Sequence, residues 1–271
     1  MTKIKEFFKK YWIDILVITA FLALVAYALY YVYVTFRFGK KFTIFYNYFI
    51  ENGGYKKLLE GLKNTGLISV LGLVIGIVIG TLIAVVRVMP KYKTLPKVLD
   101  GICTVYVGFF RGTPIVVQLL ITYYVLFPIM GLSIDSLTTC IIVFGLNSGA
   151  YVSEVMRGGI NSVDPGQLEA GRAVGLPYWT AMLKIVIPQS IKNIRPTLGN
   201  EFIALVKDTS VVSFVAAVDL YKTFTEIGNR RYEYLVPYLA MAIMYILLVM
   251  LISLGVKLLE RRLKRNERVT K

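Results

Sequence analysis

The hydrophobic run from Ile13 to about Phe36 constrains this chain more than any other feature. It is long enough to cross a bilayer, whose core takes about 20 helical residues. Lys3, Lys5, Lys9 and Lys10 precede it, and Val34-Thr35-Phe36 ends it without the small-residue cleavage site of a secretory signal. The run is therefore read as a retained anchor. Further spanning runs follow at about Thr65–Val86, Thr113–Met130, Ser136–Met156, Leu198–Val218 and Pro237–Val256. Hydrophobic residues make up 56% of the chain and its net charge is +15, too apolar for a soluble domain. The expected fold class is all-α transmembrane with six spanning helices.

Cation placement orients those spans. Most of the 31 Lys and Arg fall in the N-terminal segment, in Arg87–Gly112, in the loop from Arg157 to Arg195 and in the tail from Lys257 to Lys271. The positive-inside rule puts these segments, with both the N and C termini, in the cytoplasm. The same clustering argues against nucleic acid as a partner and for the lipid bilayer. The organisation expected is residues 1–57 as an anchor helix with an external connector, 58–256 as the transmembrane domain, and 257–271 as a basic cytoplasmic tail. Within the second of these, residues 157–197 form a cytoplasmic loop.

Several chemistries are missing. The chain has no histidine, which removes His-based triads and the H-E-x-x-H metalloprotease. Cys103 and Cys140 stand in separate apolar contexts and are expected to be free thiols, with no metal site and no catalytic residues. Gly61-Leu62-Lys63-Asn64-Thr65-Gly66 approaches a phosphate-binding loop, but Leu67 and Ile68 stand where Lys and Ser or Thr would hold phosphate and magnesium. No cofactor is expected on this chain. ATP chemistry must come from another one.

Asp164–Pro188 is the longest polar-bearing segment between the apolar runs. Asp164 is placed to cap a helix that has Pro165 first and Gln167 at the capping-box position, and Gly166, Ala170, Gly171 and Ala173 leave that helix unusually bare. Gly175 is placed to end it in the left-handed region. Leu176-Pro177 then restarts a helix that Pro188 is expected to interrupt. On local chemistry alone, an ordinary interhelical loop remains an equal reading.

Glu169-Ala170-Gly171, with Gly175 six residues after the glutamate and then Ile185 and Pro188, resembles the signature loop of ATP-binding-cassette (ABC) importer permeases. That loop reads E-A-A, three residues, G, nine residues, I, one residue, L-P. Gly171 and Ile187 depart from it conservatively. Arg111-Gly112-Thr113-Pro114, Asn147 through Glu154, Arg157-Gly158-Gly159-Ile160 and Gly199 through Ser210 resemble segments of the polar amino acid subgroup. The resemblance runs from about residue 58 to the end of the sixth span. It implies a type I importer permease: a five-helix core plus an added N-terminal helix, multi-pass in the bacterial cytoplasmic membrane. It further implies ABC ATPase subunits that carry ATP and magnesium, an extracytoplasmic amino acid binding protein, and a second permease subunit in a homodimer or heterodimer. Coupling to the ATPase would fall to Asp164, Gly166, Glu169, Ala170, Gly171, Gly175 and Pro188.

Polar residues inside the spans carry a further expectation. A charge at mid-bilayer costs on the order of 2.5 to 3.5 kcal/mol, so Asp208 and Lys207 need a reason to be there. Asp208, Glu154, Asn147 and Gln118 are expected to line a polar cavity for an amino acid. Each has a plainer alternative: Glu154 can pair with Arg157, and the amides and Asp208 can bond neighbouring helices. Gly72, Gly76, Gly80 and Ala84, four residues apart, are expected to let another helix of the same subunit approach closely. Two rival readings are an ion-coupled secondary transporter, which predicts an internal repeat that is not seen, and a non-transporting membrane scaffold.

Overall fold

The computed structural model describes residues 2–35 and 37–269, with side chains described for 11–31, 33–35, 37–230 and 232–262. Phe36 and Lys271 lie outside the described residues, and the side chains of Lys3, Lys5, Lys9, Lys10 and the last tail cations lie outside the described side chains. All regular structure among the described residues is helical. Among the described residues four helices are long and apolar enough to cross a membrane: Tyr11–Thr35, Gly54–Val88, Ser136–Asn161 and Leu235–Arg262. A fifth span arises if Thr94–Gly112 and Ile115–Ile129, bent by 104°, act as one.

Helix α1 (Thr2–Thr35) exposes apolar side chains such as Phe21, Leu24 and Tyr27, a surface suited to lipid. The stretch expected to be a connector is largely helical. In α2 (Phe38–Ile50), Phe45, Tyr48 and Phe49 pack towards Leu58 and Phe224. Gly53, in the left-handed region at φ 70°, makes the turn, and α3 (Gly54–Val88) begins there rather than near Thr65. Its polar first turns are held from outside: Lys57 lies 2.6 Å from Glu226, and Asn64 donates to the Val218 carbonyl at 2.8 Å. Those partners let the helix run on past its apolar part.

The glycine stripe of α3 packs within the subunit, against α7 (Ser136–Asn161). A Cβ on Gly76 would come 2.5 Å from Ser148 Oγ, and one on Gly80 2.7 Å from Val152. The approach is reciprocal, since a Cβ on Gly145 would meet Ile75 at 2.6 Å. Small residues on both helices let the backbones nearly touch, which is how helices gain dispersion energy in lipid. Asp135 caps α7 by accepting from Thr138 N at 2.9 Å, and hydrogen bonding from the Thr138 side chain, then its backbone, holds the carboxyl below the usual range.

The third span differs most from expectation. Before it, α4 (Thr94–Gly112) packs Val107, Tyr106 and Phe110 along Ile79, Ile83 and Ala150. The chain then breaks at Thr113-Pro114. Thr113 does not cap the next helix: it is extended, and its hydroxyl donates back to the Phe109 carbonyl at 2.8 Å. Pro114 has no N–H and disfavours helix in the residue before it, which ends α4. Next come α5 (Ile115–Ile121), a π-turn at Thr122–Leu126 and α6 (Phe127–Ile129). This stretch spans about 22 Å at 1.5 Å per residue, short of a core of about 30 Å.

From Asp164 the chain forms α8 (Pro165–Ala173), α9 (Tyr178–Ala181), a second π-turn at Met182–Val186 and then α10 (Ile187–Asp208). Pro188 does not interrupt the chain as expected. The π-turn just before it widens the helix where the proline ring would otherwise meet the preceding turn, and Pro128 follows the other π-turn at the same spacing. Helix α10 starts well before Leu198 and ends at Asp208, where a 3₁₀ turn takes over through Val215. Lys192, Arg195, Glu201, Lys207 and Asp208 make it too polar to qualify as an apolar span.

The expected outer loop is helical as well. Asp219 caps α11 (Leu220–Arg231), accepting from Tyr221 N and Lys222 N, and is fully buried beside Gly61. Burial pushes its carboxyl up to about 6, against the pull of those N–H groups. Helix α12 (Leu235–Val269) closes the chain and touches α10 where Gly199 meets Val256.

Candidate functional site: a polar cavity and a presented helix

The break between α4 and α5 leaves backbone carbonyls that have no partner in a helix. Two buried amides satisfy them. Gln118 Nε2 donates to the carbonyls of Phe110, at 2.9 Å, and Thr113, at 3.0 Å, and also to the Thr113 hydroxyl. Asn147 Nδ2, from α7, donates to Gln118 Oε1 at 3.0 Å and to Phe110 O at 3.2 Å. Two of the four polar residues expected to line a cavity thus meet each other, and both brace the break. With its N–H groups committed, Asn147 keeps its side-chain oxygen as an acceptor.

Asn147 borders a cavity of about 450 Å³. Arg111 and the Thr113-Pro114 break form one wall, Asn147 and Tyr151 of α7 a second, and Glu201, Leu205 and Asp208 of α10 a third. Glu201 and Asp208 share a face, as their seven-residue spacing predicts. Ser148 donates to Glu201 at 3.3 Å, and the Arg111 guanidinium lies 5.4 Å from the centre of the Tyr151 ring. The cavity therefore offers two carboxylates, one guanidinium and one amide, a set able to receive both ends of a zwitterion. Gln118 stands behind the lining rather than in it, and Glu154 is not part of the lining.

The Glu154 carboxylate is occupied by arginines. Arg87 Nη1 bonds to one oxygen, Arg157 Nη2 is 2.7 Å from the other, and Arg111 Nη1 is 3.9 Å away. The pairing with Arg157 is the plainer alternative that the spacing left open. Sequence reasoning missed Arg111, Tyr151 and Glu201 as lining residues. A heptad step back from Asp208 could have found Glu201, whereas Arg87 lies far from Glu154 along the chain and left no local signal.

At the docking segment the sequence signals translate directly. Asp164 Oδ1 accepts from Gly166 N at 2.8 Å, capping α8 at its second rather than third position. Gln167 does not close a capping box, since its oxygen accepts from Gln189 at 3.4 Å. Gly175 sits at φ 91°, donating to the Arg172 carbonyl, while Leu176 N donates to the Gly171 carbonyl at 3.1 Å. This pair of bonds is a Schellman ending, which requires the left-handed residue. A Cβ on Gly171 would meet Ile185 at 2.8 Å, so the bare position lets α8 cross the segment after it. Leu168 anchors the helix towards Val163, Met182 and Val186, and the Tyr178 hydroxyl ties the segment to the Val88 carbonyl at 2.9 Å. Glu169, Ala170 and Arg172 remain exposed with Val174, which is 80% exposed. Helix α8 is thus short, locked from behind and bare in front.

Known proteins resemble this chain over most of its length. The sequence profile of the family described as binding-protein-dependent transport system inner membrane component matches residues 72–265. The arginine transport system permease protein ArtQ of Bacillus subtilis is 36% identical over 210 residues, covering 78% of this chain and 94% of ArtQ. A putative glutamine transport system permease protein, GlnP of Rickettsia bellii, is 40% identical over 206 residues, covering 76% of this chain and 92% of GlnP. Among solved structures, an amino acid ABC transporter with histidines superposes with a TM-score of 0.68 at 35% identity, covering 77% of this chain and 93% of that one. The relatives are transport subunits rather than enzymes. The chain belongs to the family of binding-protein-dependent transport system inner membrane components: it is a permease subunit of an ABC importer, a multi-pass helical protein of the bacterial plasma membrane.

Proposed function

We propose that this permease carries a polar amino acid inward by alternating access, driven by a separate ATPase that docks on α8. The observation that carries the reading is the 450 Å³ cavity walled by Asn147, Glu201 and Asp208, three polar side chains from two packed helices that face one space. Lone carboxylates there would be costly, whereas carboxylates facing a wet path for a zwitterion are not. The names of the relatives, arginine and glutamine permeases, support an amino acid as cargo. Asp208 and Asn147 would contact the substrate, Gln118 would hold Asn147 in place, and Glu154 would act outside the cavity.

Two copies, or this chain and a related permease, would enclose the path, and an extracytoplasmic binding protein would deliver the amino acid. In this arrangement six segments cross the bilayer with both termini in the cytoplasm, the bent α4–α5 pair and the polar α10 supplying the crossings that composition alone does not. ATP and magnesium would act on the ATPase, whose closure moves α8 and swings the attached helices. Uptake of radiolabelled L-arginine and L-glutamine into proteoliposomes holding the full complex tests the cavity. Asp208→Asn is expected to cut uptake by about tenfold, equivalent to about 1.4 kcal/mol. Unchanged uptake would remove Asp208 from the path.

A further inference from the structure

Glu154 lies among three arginines, one of which, Arg111, also lines the cavity. Its three guanidinium partners come from three elements: Arg87 from the last turn of α3, Arg111 from the last turn of α4, and Arg157 from its own helix. Asp100 lies 3.8 Å from Arg87 and 2.5 Å from Lys91, so the cluster holds four cations against two carboxylates. Arg87 Nε and Arg157 Nε are buried without a hydrogen-bond partner. A cluster this rich in positive charge depends on Glu154 for its cohesion, because deleting one partner of a partly buried pair leaves charge uncompensated.

The arms of the cluster are unequal. The two close ones lead to the docking segment. Arg87 precedes Val88, whose carbonyl holds the Tyr178 hydroxyl, and Arg157 stands one turn before Asn161 and Ser162, where Asn193 donates to Ser162 Oγ at 2.9 Å. The third arm is longer and more exposed: the Arg111 side chain, 45% accessible against 17% for Arg87, both lines the cavity and reaches Glu154. A cation held loosely at one end of a tight cluster can leave without unhooking the rest. Its departure and return would make a two-position element between the cavity and the segment that supports α8.

We propose that Glu154 is a positioning residue that passes the state of the cavity, through Arg111, to the docking helix, through Arg87 and Arg157. The inference rests on the cavity being the path of the substrate. A group in the cavity that draws Arg111 away leaves Glu154 wholly to Arg87 and Arg157, tightening the ends of α3 and α7 against the docking segment. Return of Arg111 loosens them.

The test uses the full complex in proteoliposomes, with ATP hydrolysis measured with and without the binding protein and a mixture of the twenty proteinogenic L-amino acids. Glu154→Gln keeps the shape of the side chain and is expected to retain the ATPase and its basal rate while losing about fivefold or more of the amino-acid-dependent stimulation. Glu154→Asp is expected to restore at least half of it. Arg111→Gln is expected to lower stimulation, and the double variant to be no worse than Glu154→Gln alone, the mark of two residues acting in one pathway. Wild-type stimulation in Glu154→Gln, or losses that simply add in the double variant, overturns the proposal. Should Glu154→Gln fail to assemble, wild-type stimulation in Arg111→Gln overturns it equally. Asp208→Asn separates the two readings. If it leaves uptake unchanged, the cavity reading fails and takes this one with it; if it cuts uptake while Glu154→Gln behaves as wild type, only the role of Glu154 falls.

Discussion

The α3–α7 seam and the α4–α5 break lie side by side in the fold and solve opposite problems. Along the seam, Gly72, Gly76 and Gly80 meet Phe144, Ser148 and Val152, the backbones nearly touch, and shape alone sets the fit. At the break, Pro114 strips a helix end of its partners, and Gln118 and Asn147 must replace them with hydrogen bonds. The seam gives no room for a ligand. The break, because its polar groups are side chains that need anchoring rather than backbone closed on itself, leaves a cavity beside it. The difference teaches where a helical membrane protein keeps its rigid part and where it keeps its chemistry.

The largest effect is expected at the seam. Gly76→Leu places a side chain where even a Cβ would sit 2.5 Å from Ser148 Oγ and 3.1 Å from its backbone carbon. The helices must separate, and overpacking of this kind costs about 1–3 kcal/mol or more. The expected outcome is loss of most folded protein on size-exclusion chromatography in detergent, and a normal elution profile would show the seam to be loose.

A smaller effect is expected at the break. Gln118→Leu leaves the Thr113 carbonyl without its donor and one N–H of Asn147 without its acceptor, while the Phe110 carbonyl keeps Asn147; each unmet group costs about 1–3 kcal/mol. The protein is expected to assemble with a lowered thermal midpoint and reduced uptake, and Gln118→Asn to recover little because its amide is one methylene too short. Equal stability of Gln118→Leu and wild type would mean that another group braces the break.

The smallest effect is a pH dependence outside both regions. The Asp219 carboxyl, ordinarily at 3.8, is raised to about 6 in the folded chain. The folded state therefore binds the proton more tightly than the unfolded one, and the stability this contributes is present below about pH 4 and lost as pH rises through about 6. The thermal midpoint is expected to fall by a few degrees between pH 5 and pH 7.5, and Asp219→Asn, which can still cap α11, to flatten that slope. A slope unchanged by the substitution would assign it to another group.

Local chemistry made much of this legible in the sequence. The cap at Asp164, the left-handed Gly175 and the bare Gly171 are single-residue signals with one physical solution each, and the structure uses all three. The four-residue glycine spacing pointed correctly to packing within the subunit. What stayed hidden was set by partners distant in sequence. The early start of α3 depends on Glu226 and Val218, and the helical passage through Pro188 on a π-turn that no residue type announces. Asn147 and Gln118 could be singled out for being polar in an apolar run, but their shared task depends on the carbonyls that the break at Thr113-Pro114 leaves open, some of them on another helix. Glu154 was noticed for the right reason, yet its carboxylate faces arginines rather than the cavity because Arg87 arrives from another helix.

The most direct measurement of the central claim, that α8 is where an ATPase drives this permease, is co-purification of the ATPase with the chain from detergent. Wild type is compared with Glu169→Lys, on the exposed face, and Gly175→Asp, which forces a side chain onto a residue at φ 91°. The account predicts that wild type retains the ATPase and that both variants release it by about tenfold or more, while remaining folded by size-exclusion chromatography. Retention of the ATPase at wild-type levels by both folded variants would contradict it.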